Sequence, residues 1–544
     1  MSANPLPPLP RDTLFPERSG LGSWLKRFLP ADAHAFIQPK LVDLGRVAAR
    51  QAIALGDTAD RNGPRHIPFD PLGNRIDRIE YHPAYLELQK LSYGAGMVNV
   101  KYDPETSRKY ASSLHQMGFS MTMVFSGGES GMLCPLCMTD GAARVVKLHG
   151  SPELKARAIP CLAATDMGKL WRGAMFLTEK QGGSDVGANT CRAVNENGTW
   201  RLYGDKWFCS NVDAEVALVL ARSDDAPKGT KGLSLFYVET NLPEGGKNNF
   251  VIHRIKDKFG TRSMPTGEIT FNGTPATLLG GPGAGFKQML DMVNLSRLYN
   301  ATVSVGLLHR ALDETTFFAE RRMAFGTPLT GHRMHLETLA DWWAHYLGGL
   351  ALVLTSCQAL DEHDTTGDKA AFGRSRMLTP MAKRHTGRQV VDGVSMCMEL
   401  IGGQGYIEDT GIPRLLRDGQ VLPIWEGTSH IQMWDVARAA LKDGALMPTM
   451  EWLAQGANDA KVKAALDAAA KTLVEHADPD AFGAAGRYVV DQLTNAVEQA
   501  LLVRWGDARA LLAARRLADM RSVQPWKAAR TWSDTELKQL CGIA

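Results

Sequence analysis

Apolar residues recur with a helical period at both ends of the chain and with a strand-like period in between. In the first part this spacing predicts helices at residues 39–57, 82–98, 104–127, 141–150 and 152–165. Near Arg172 the period changes, and from Phe286 the helical pattern returns and lasts to the C-terminus. The predicted order of secondary structure is therefore α, then β, then α.

The middle part of the chain consists of short segments rich in β-branched and aromatic residues, separated by turn residues. These segments are GAMFLTE, TWRLYGDKWFCS, EVALVLARS, GLSLFYVE, FVIHRI and GEITFNG. Six strands within about 100 residues predict a small β-sandwich or β-barrel. Residues 1–75 are Pro-rich, and outside the helix at 39–57 we expect them to be irregular.

The length and composition are those of a globular protein with several domains. The chain has 544 residues, of which 22% are charged and 44% hydrophobic, and this length exceeds what one core supports. The net charge of +3 gives no general attraction to nucleic acid or to anionic membranes. The first residues, MSANPLPPLPRD, lack the apolar segment of a signal peptide, so we expect a cytoplasmic protein.

One apolar stretch approaches the length that spans a membrane. Residues 342–360 contain no Asp, Glu, Lys or Arg, but they include His345 and Gln358. We interpret this stretch as the buried central helix of a bundle, and we expect no membrane association.

The cysteines and histidines do not form the pattern of a metal site. Only Cys134 and Cys137 form a C-x-x-C pair, without the second pair or the neighbouring histidines that zinc needs. A redox dithiol is an alternative, but buried cysteines in a reducing compartment fit better. His332 and His335 lie three residues apart on a predicted helix and have no third ligand nearby in sequence.

The first stretch with chemical character is 178-TEKQGGSD-185. Gly182 and Gly183 allow the backbone to approach a ligand closely, while Thr178 and Ser184 supply hydroxyl groups. A hairpin loop is the alternative, since Gly, Ser and Asp are common in turns. In 206-KWFCSN-211 flat apolar side chains stand beside a serine, although aromatic residues in strands more often belong to a core.

The second stretch is 399-ELIGGQGYIEDTGIPRLLRD-418, which is followed by 423-PIWEGTSHIQ-432. A Gly-rich segment followed by a Trp-Glu-Gly-Thr turn is typical of flavin enzymes that oxidise acyl thioesters. We therefore select Glu426 as the candidate base. The alternative is an ion-paired carboxylate at the start of a helix.

Together the two stretches resemble the signatures of the acyl-CoA dehydrogenase family, over roughly residues 80–440. The C-terminal signature is matched by Glu399, Gly402, Gly403, Gly405, Tyr406, Asp409, Arg414 and Asp418. The upstream signature is matched by Leu177, Thr178, Glu179, Gly182, Gly183, Ser184, Asp185 and Ala188. The chain departs from this signature at Phe176, where most members have a small residue, and at Lys180, where most have proline.

Within this family the chain is similar to the AidB-type branch, named for the adaptive response to alkylation. The similarity lies in 180-KQGGSD-185, 256-KDKFGTRS-263, Trp425, 69-FDPLGNRIDRIEYHPAY-85 and an α-helical tail after about residue 445. It implies a multidomain α+β protein with the acyl-CoA dehydrogenase fold and an extra helical domain. The implied domains are an N-terminal extension with an α-helical domain at 1–170, a β-barrel or sandwich at 171–280, a four-helix bundle at 281–444 and an α-helical tail at 445–544.

The resemblance also implies FAD and a homotetramer in which a neighbouring subunit completes each flavin site. Carried over position by position, the flavin-binding residues are Met175, Leu177, Thr178, Ser184, Phe208, Ser210 and Thr428. Arg322 and Phe325 match residues that reach the flavin of a neighbouring subunit, and His430 stands where glutamine is common. The implied redox partner is an electron-accepting flavoprotein. The sequence is compatible with both straight and branched acyl chains in the substrate.

The implied reaction is oxidation of an acyl-CoA thioester, in which Glu426 removes the α-proton and flavin N5 accepts a hydride from the β-carbon. A solvated glutamate with a pKa near ~4.3 is a weak base, so the site must exclude water, and Ile424 and Trp425 supply apolar neighbours. Some family members place the base in the helix that here contains Ser296, which cannot serve as a base. Arg297 is the expected substrate-binding charge partner near Glu426.

A second hypothesis is a DNA-binding flavoprotein of the adaptive response to alkylation, with weak or no turnover. Residues 451–544 contain twelve Lys or Arg and twelve Asp or Glu, whereas phosphate binding needs clustered positive charge. A patch remains an alternative in one predicted long helix that contains Arg504, Arg509, Arg515, Arg516 and Arg521. We favour a solvated face of an amphipathic helix. A third alternative is a flavoprotein scaffold with little turnover.

Overall fold

The computed structural model describes residues 12–242, 245–522 and 532–543. The chain divides into two compact units. The helical unit comprises Met1–Ile53, Tyr110–Gly128 and Asn300–Ala544, and the barrel unit comprises Ala54–Lys109 and Glu129–Tyr299. Each unit is therefore assembled from segments that are distant in sequence.

The first third of the chain is mainly helical and contains one β-hairpin. Its elements are α1 (Leu21–Phe28), α2 (Ala31–Val47), α3 (Ile53–Arg61), β1 (Arg65–Phe69), β2 (Arg75–Glu80), α4 (Pro83–Gly94), α5 (Pro104–Lys109), α6 (Leu114–Ser126), α7 (Leu133–His149) and α8 (Pro152–Leu162). A π-helical turn at Ala48–Ala52 connects α2 to α3.

The middle of the chain forms the strands of a barrel. These strands are β3 (Gly173–Phe176), β4 (Arg192–Glu196), β5 (Thr199–Ser210), β6 (Val216–Ser223), β7 (Leu233–Glu239), β8 (Phe250–Ile255) and β9 (Thr266–Leu279). Strands β6, β7, β9, β5 and β4 pair in a closed ring, β3 pairs parallel with β6, and β8 pairs with β9. Closure of the ring leaves these five strands without a free edge, so the barrel alternative of the sequence prediction is confirmed.

Side chains that alternate along the strands fill the interior of the barrel. Leu202 on β5, Phe236 on β7 and Phe271 on β9 are buried in one apolar cluster with residues from β3, β4 and β6. This alternation is the pattern from which the strands were predicted. The predicted strands at Thr199–Ser210 and Phe250–Ile255 match β5 and β8 to the residue.

The last part of the chain is helical apart from a two-residue hairpin. Its elements are α9 (Gly285–Arg321), β10 (Met323–Ala324), β11 (Thr327–Pro328), α10 (Arg333–Thr366), α11 (Lys369–Ile401), α12 (Ile412–Gly419), α13 (Ser429–Ala437), α14 (Leu446–Ala457), α15 (Ala460–Glu475), α16 (Pro479–Trp505), α17 (Ala508–Met520) and α18 (Asp534–Cys541). The predicted fold class is confirmed: α-helical regions flank a β-barrel, and further helices follow. The predicted domain boundaries stay a prediction.

The apolar stretch at residues 342–360 lies in the middle of α10. Trp343, Leu350 and Leu354 are completely buried there, and α11, α16 and α17 all pack against this helix. In the described ranges, no helix is both long and apolar enough to cross a membrane. The interpretation as a buried bundle helix is confirmed.

The N-terminal prediction is wrong in three places. The helix predicted at 39–57 begins earlier, with α2 at Ala31. Residues 1–75 include α1, which buries Trp24 and Leu25, and the hairpin of β1 and β2. The hairpin was not predicted because Asp77, a polar residue on β2, is buried and interrupts the alternation of apolar and polar residues. Its carboxylate accepts hydrogen bonds from Ile252 N (3.1 Å) and Arg75 Nε (2.8 Å). A buried acid that is satisfied in part by a backbone N–H 175 residues away gives no local strand signal.

Four further corrections concern other elements. The helix predicted at 104–127 is interrupted between α5 and α6, and the helix predicted at 141–150 begins earlier, as α7. Strand β4 was missed, because RAVNE is short and largely polar. The long tail helix is broken at Gly506, whose φ of 72° lies in the left-handed region, and Asp507 then caps α17.

Candidate active site

The loop after β3 begins with Leu177 and Thr178, which are both half-buried. Trp207 N donates to Thr178 O at 2.9 Å, and Asn189 Nδ2 donates to Leu177 O at 2.9 Å. The backbone that carries the Thr178 hydroxyl is therefore fixed on both sides. Met175 lies two residues before Leu177. It is buried on β3 and pairs with Leu218 on β6.

Glu179 anchors the same loop from inside the protein. Its carboxylate accepts hydrogen bonds from Lys206 Nζ (2.8 Å), Cys191 N (3.1 Å) and Thr190 N (2.7 Å). Burial alone would raise the pKa of Glu179, but the Lys206 ammonium and the hydrogen bonds lower this pKa to about 2. Sequence reasoning placed Glu179 in the motif without a role; its role is to hold the loop.

The two glycines of the loop fit a close approach by a ligand. Gly182 has a φ of 121°, which a side chain would strain. A Cβ on Gly183 would lie 2.5 Å from Thr178 Oγ1, so a larger residue would displace the Thr178 side chain. Ser184 follows as an exposed residue, and the loop therefore offers two hydroxyls and an open backbone.

Strand β5 adds an exposed aromatic ring beside a hydroxyl. The Phe208 side chain is 54% exposed, which is unusual for a strand aromatic and excludes the alternative of a core residue. Ser210 Oγ lies 3.2 Å from Thr266 Oγ1, and the Lys256 ammonium lies 4.5 Å from the Phe208 ring centroid. A flat apolar surface, hydroxyl groups and a cation suit a flavin ring system, so these residues fit the implied cofactor.

Glu426 lies in a tight turn of the helical unit, between α12 and α13. Its φ is +57°, in the left-handed region that few residues other than glycine adopt, and Gly427 follows with a φ of +97°. Gln432 Nε2 donates to Glu426 O at 2.9 Å and to Gly427 O at 3.1 Å. Backbone strain of this kind is typical of functional sites.

Two apolar residues, Ile424 and Trp425, directly precede Glu426 in the turn. Glu426 and Trp425 are half-buried, and Ile424 is 60% exposed. Thr428, at the N-cap position of α13, and His430 are both exposed. The turn therefore presents a carboxylate together with apolar surface.

Arg322 and Phe325, which are expected to reach the flavin of a neighbouring subunit, lie at the hairpin of β10 and β11. The Phe325 side chain is 98% exposed and its φ is +50°. Arg322 is half-buried, and its carbonyl accepts a hydrogen bond from Leu329 N at 3.0 Å. A completely exposed phenylalanine at a strained hairpin is suited to contact another molecule.

Arg297 lies on α9, in the barrel unit, whereas Glu426 belongs to the helical unit. The Arg297 side chain is buried, and its Nη1 donates to Asn294 Oδ1 at 3.2 Å. Ser296 beside it is also buried. The pairing of Arg297 with Glu426 and its role in substrate binding stay a prediction.

The five tail arginines are engaged inside the helical unit, which corrects both interpretations of this segment. Their partners are the Phe28 and Trp452 rings for Arg504, Leu540 O and Arg18 O for Arg509, Glu536 for Arg515, Asp341 and Glu337 for Arg516, and Glu498 for Arg521. They form neither one solvated face nor a cationic patch. Their charges are used to pack helices together.

Family models match most of the chain. The model described as "Adaptive response protein AidB N-terminal domain" matches residues 4–168. The acyl-CoA dehydrogenase middle-domain model matches residues 174–274, and the C-terminal-domain model matches residues 283–441.

Relatives and solved structures agree with these matches. Acyl-CoA dehydrogenase family member 11 of Caenorhabditis elegans is 34% identical over 76% of this chain and 68% of its own length. Putative acyl-CoA dehydrogenase AidB of Escherichia coli is 31% identical over 75% of this chain and 74% of its own. The structure of C. elegans ACDH-11 in complex with C11-CoA has a TM-score of 0.84 and 29% identity, covering 96% of this chain and 90% of that chain.

Proposed function

The chain belongs to the acyl-CoA dehydrogenase family, and we propose that it is an FAD-dependent enzyme that oxidises the Cα–Cβ bond of an acyl-CoA thioester. The observation that carries the proposal is the strained turn that presents Glu426 beside Trp425 and Ile424. A carboxylate in an apolar setting is the group that such a reaction needs as a base.

In this proposal Glu426 removes the α-proton of the thioester. A thioester α-proton is weakly acidic, so the carboxylate must be a stronger base than it is in water. The apolar surfaces of Trp425 and Ile424, covered by a bound acyl chain, exclude water from the carboxylate and favour its protonated form. Donors at the thioester carbonyl would stabilise the negative charge that develops there.

The loop and strand residues of the barrel unit would hold the cofactor. We assign Met175, Leu177, Thr178, Ser184, Phe208 and Ser210 to flavin contacts, and we propose Thr428 as a further flavin-binding residue. The Glu179–Lys206 ion pair keeps the loop backbone in place. When bound, FAD supplies the acceptor for the hydride that leaves the β-carbon.

We also propose a homotetramer and a separate flavoprotein as electron acceptor. The exposure of Phe325 supports the first part, because a neighbouring subunit would cover this ring. The second part rests on the family resemblance; the chemistry itself requires only that two electrons leave the reduced cofactor after each turnover.

DNA binding is the less favoured function. The tail has no net charge, and Arg504, Arg509, Arg515, Arg516 and Arg521 contact acceptors or rings of the same unit. Counterion release from phosphates needs cations that are free to pair with DNA. No observation therefore favours this function over thioester oxidation.

The proposal is tested by mixing the purified, FAD-loaded protein anaerobically with a panel of acyl-CoA thioesters. The panel should include straight and branched chains and C11-CoA, which is the ligand in the structure of the ACDH-11 relative. We expect at least one thioester to bleach the flavin absorbance near 450 nm, on the order of one flavin per thioester. Protein that cannot be loaded with FAD, or flavin that no thioester reduces, would contradict the proposal.

A further inference from the structure

Two buried side chains hold the backbone of the turn that carries Glu426. Lys383 on α11 and Gln432 on α13 are both completely shielded from solvent. Lys383 Nζ donates to Gly427 O, while Gln432 Nε2 donates to Glu426 O at 2.9 Å and to Gly427 O at 3.1 Å. Two successive peptide carbonyls are therefore turned toward one pair of interior donors.

This arrangement explains the unusual backbone of Glu426. A glutamate with a φ of +57° persists only where its surroundings enforce it. The carbonyl of Glu426 is held from inside, so its Cα–Cβ bond must leave the turn in a fixed direction. A Cβ at Gly427 would lie 2.7 Å from Gln432 Nε2, which shows how closely the donor fits the turn.

The positive charge of Lys383 is not needed to fill the space beside the turn. Burying an ammonium group is unfavourable unless it is paired or hydrogen-bonded, and a methionine has similar length and shape. Lys383 and Gly427 are 44 residues apart, and their contact links α11 directly to the turn. The hydrogen bond to the carbonyl of Gly427 thus couples the position of α11 to the backbone of the turn.

We propose that Lys383 and Gln432 are positioning residues for the base, which fix the direction of the Glu426 side chain toward the substrate α-carbon. The inference rests on the proposed function of Glu426. Neither side chain touches the substrate in this scheme; both act through the two carbonyls of the turn. Displacing a catalytic group by about 1 Å reduces the rate on the order of 100-fold.

The test compares Lys383→Met and Gln432→Met with the wild type and with Arg384→Met as a matched control. Arg384 is the next residue on α11, is similarly buried, and pairs with Asp491 on α16. Its loss removes the same charge from the same helix, away from the turn. All four proteins are loaded with FAD, and their FAD content, melting temperature and Kd for a competent acyl-CoA are measured first.

The decisive readout is proton removal without oxidation. 3,3-Dimethylbutanoyl-CoA has α-hydrogens but no hydrogen on its β-carbon, so deuterium uptake from D2O reports the base alone. Flavin reduction by the competent acyl-CoA is measured in parallel. We expect Lys383→Met to lower both rates by about 100-fold with Kd within threefold, Gln432→Met to behave similarly, and Arg384→Met to stay within threefold of the wild type.

The double variant shows whether Lys383 and Gln432 act together through the turn or independently of each other. If both residues act through the turn, Lys383→Met/Gln432→Met loses no more than about threefold beyond the slower single variant, because groups that act as a unit are not additive. Rate losses that multiply would overturn the shared role. Loss of the FAD-bound fold in both single variants would also overturn it, in favour of a structural role.

Failure of the inference differs from failure of the proposed function. If Lys383→Met and Gln432→Met match the wild type while Glu426→Gln is inactive, the positioning role is wrong and Glu426 remains the base. If the wild type neither exchanges α-protons nor reduces its flavin, the proposed function itself is wrong, and the positioning role falls with it.

Discussion

Lys206 on β5 donates to Glu179 across 2.8 Å, and both side chains are almost completely shielded from water. Glu179 belongs to the loop with the flavin-binding signature, whereas Lys206 precedes the exposed ring of Phe208. The ion pair thus ties together the two segments that are proposed to contact the cofactor. Removing one partner of a buried pair costs about 3–5 kcal/mol, because the other charge is left unpaired.

Glu179→Gln should therefore destabilise the protein and weaken FAD binding at least tenfold. The amide retains the size of the side chain but leaves the Lys206 ammonium without its counter-charge. The Kd of FAD, measured by flavin fluorescence with the apoprotein, and the melting temperature of the holoprotein should both report the change.

Lys180→Gln provides the matched control for this experiment. Lys180 is the adjacent residue, and its pair with Asp205 spans 3.2 Å on the exposed surface. Exposed pairs contribute about 0–1 kcal/mol, so this variant should bind FAD like the wild type. Equal effects of the two variants would show that the buried pair has no special role.

Acid should destabilise the packing of the tail on the bundle. Burial lowers the pKa of His345 to about 4, and Glu498, despite its burial, has its pKa lowered to about 2 by His385 and Arg521. In the unfolded chain the histidine binds its proton near pH ~6.5 and the glutamate near pH ~4.3. The unfolded state therefore binds more protons as the pH falls, and stability is lost from about pH 6.5 to 4 through His345 and from about pH 4.3 to 2 through Glu498.

The first of these two windows can be assigned with one substitution. His345→Gln should flatten the fall in the free energy of unfolding between about pH 6.5 and 4 by roughly 1–3 kcal/mol. His253→Gln, at an exposed position on β8, should leave the curve unchanged. Denaturant unfolding across this pH range measures both. An unchanged slope in His345→Gln would show that this histidine does not couple folding to pH.

Alternation along the chain was sufficient to predict β5 and β8, because their residues pack directly into the barrel core. It failed for β4, whose Ala193 alone is fully buried in a short polar strand; this strand is secured by pairing with β5 and β6. The break in the tail helix at Gly506 was equally invisible, since a glycine in a helical pattern does not by itself reveal a left-handed φ.

The candidate site could be proposed from the sequence only where its residues are adjacent in the chain. The loop at 178–185 and the turn at Glu426 each carry a local signature. The groups that hold them do not: Lys206 lies 27 residues from Glu179, and Lys383 lies 44 residues from Gly427. Long-range partners follow from the fold, and one sequence contains no spacing rule that would identify them.

The tail should not bind duplex DNA tightly. Arg516 and Arg521 are paired with carboxylates of the same unit, and freeing them would break contacts that hold α17. Fluorescence anisotropy with a labelled duplex near physiological salt should give no sub-micromolar binding. Sub-micromolar affinity with a steep salt dependence that is lost in Arg515→Ala, whose guanidinium is among the more exposed of the five, would favour the DNA-binding function instead.

Glu426→Gln should abolish thioester oxidation and leave FAD bound. The turn gives the carboxylate its place, and Ser296, which occupies the position that some family members use for the base, has no basic group. A general base contributes a factor of about 100 to 10,000, so flavin reduction should slow at least 100-fold. The amide has nearly the same shape, and the contacts of Lys383 and Gln432 with the turn carbonyls do not involve the substituted carboxylate, so the fold should persist.

The measurement is stopped-flow reduction of the flavin by a thioester that reduces the wild type, with the flavin spectrum and melting temperature as controls for folding. Glu475→Gln, a surface glutamate paired with Lys471 on α15, is the matched carboxylate control and should react like the wild type. If Glu426→Gln reduces its flavin within threefold of the wild-type rate, Glu426 is not the base. The strained turn would then have to serve binding, which a weaker Kd for the same thioester would reveal.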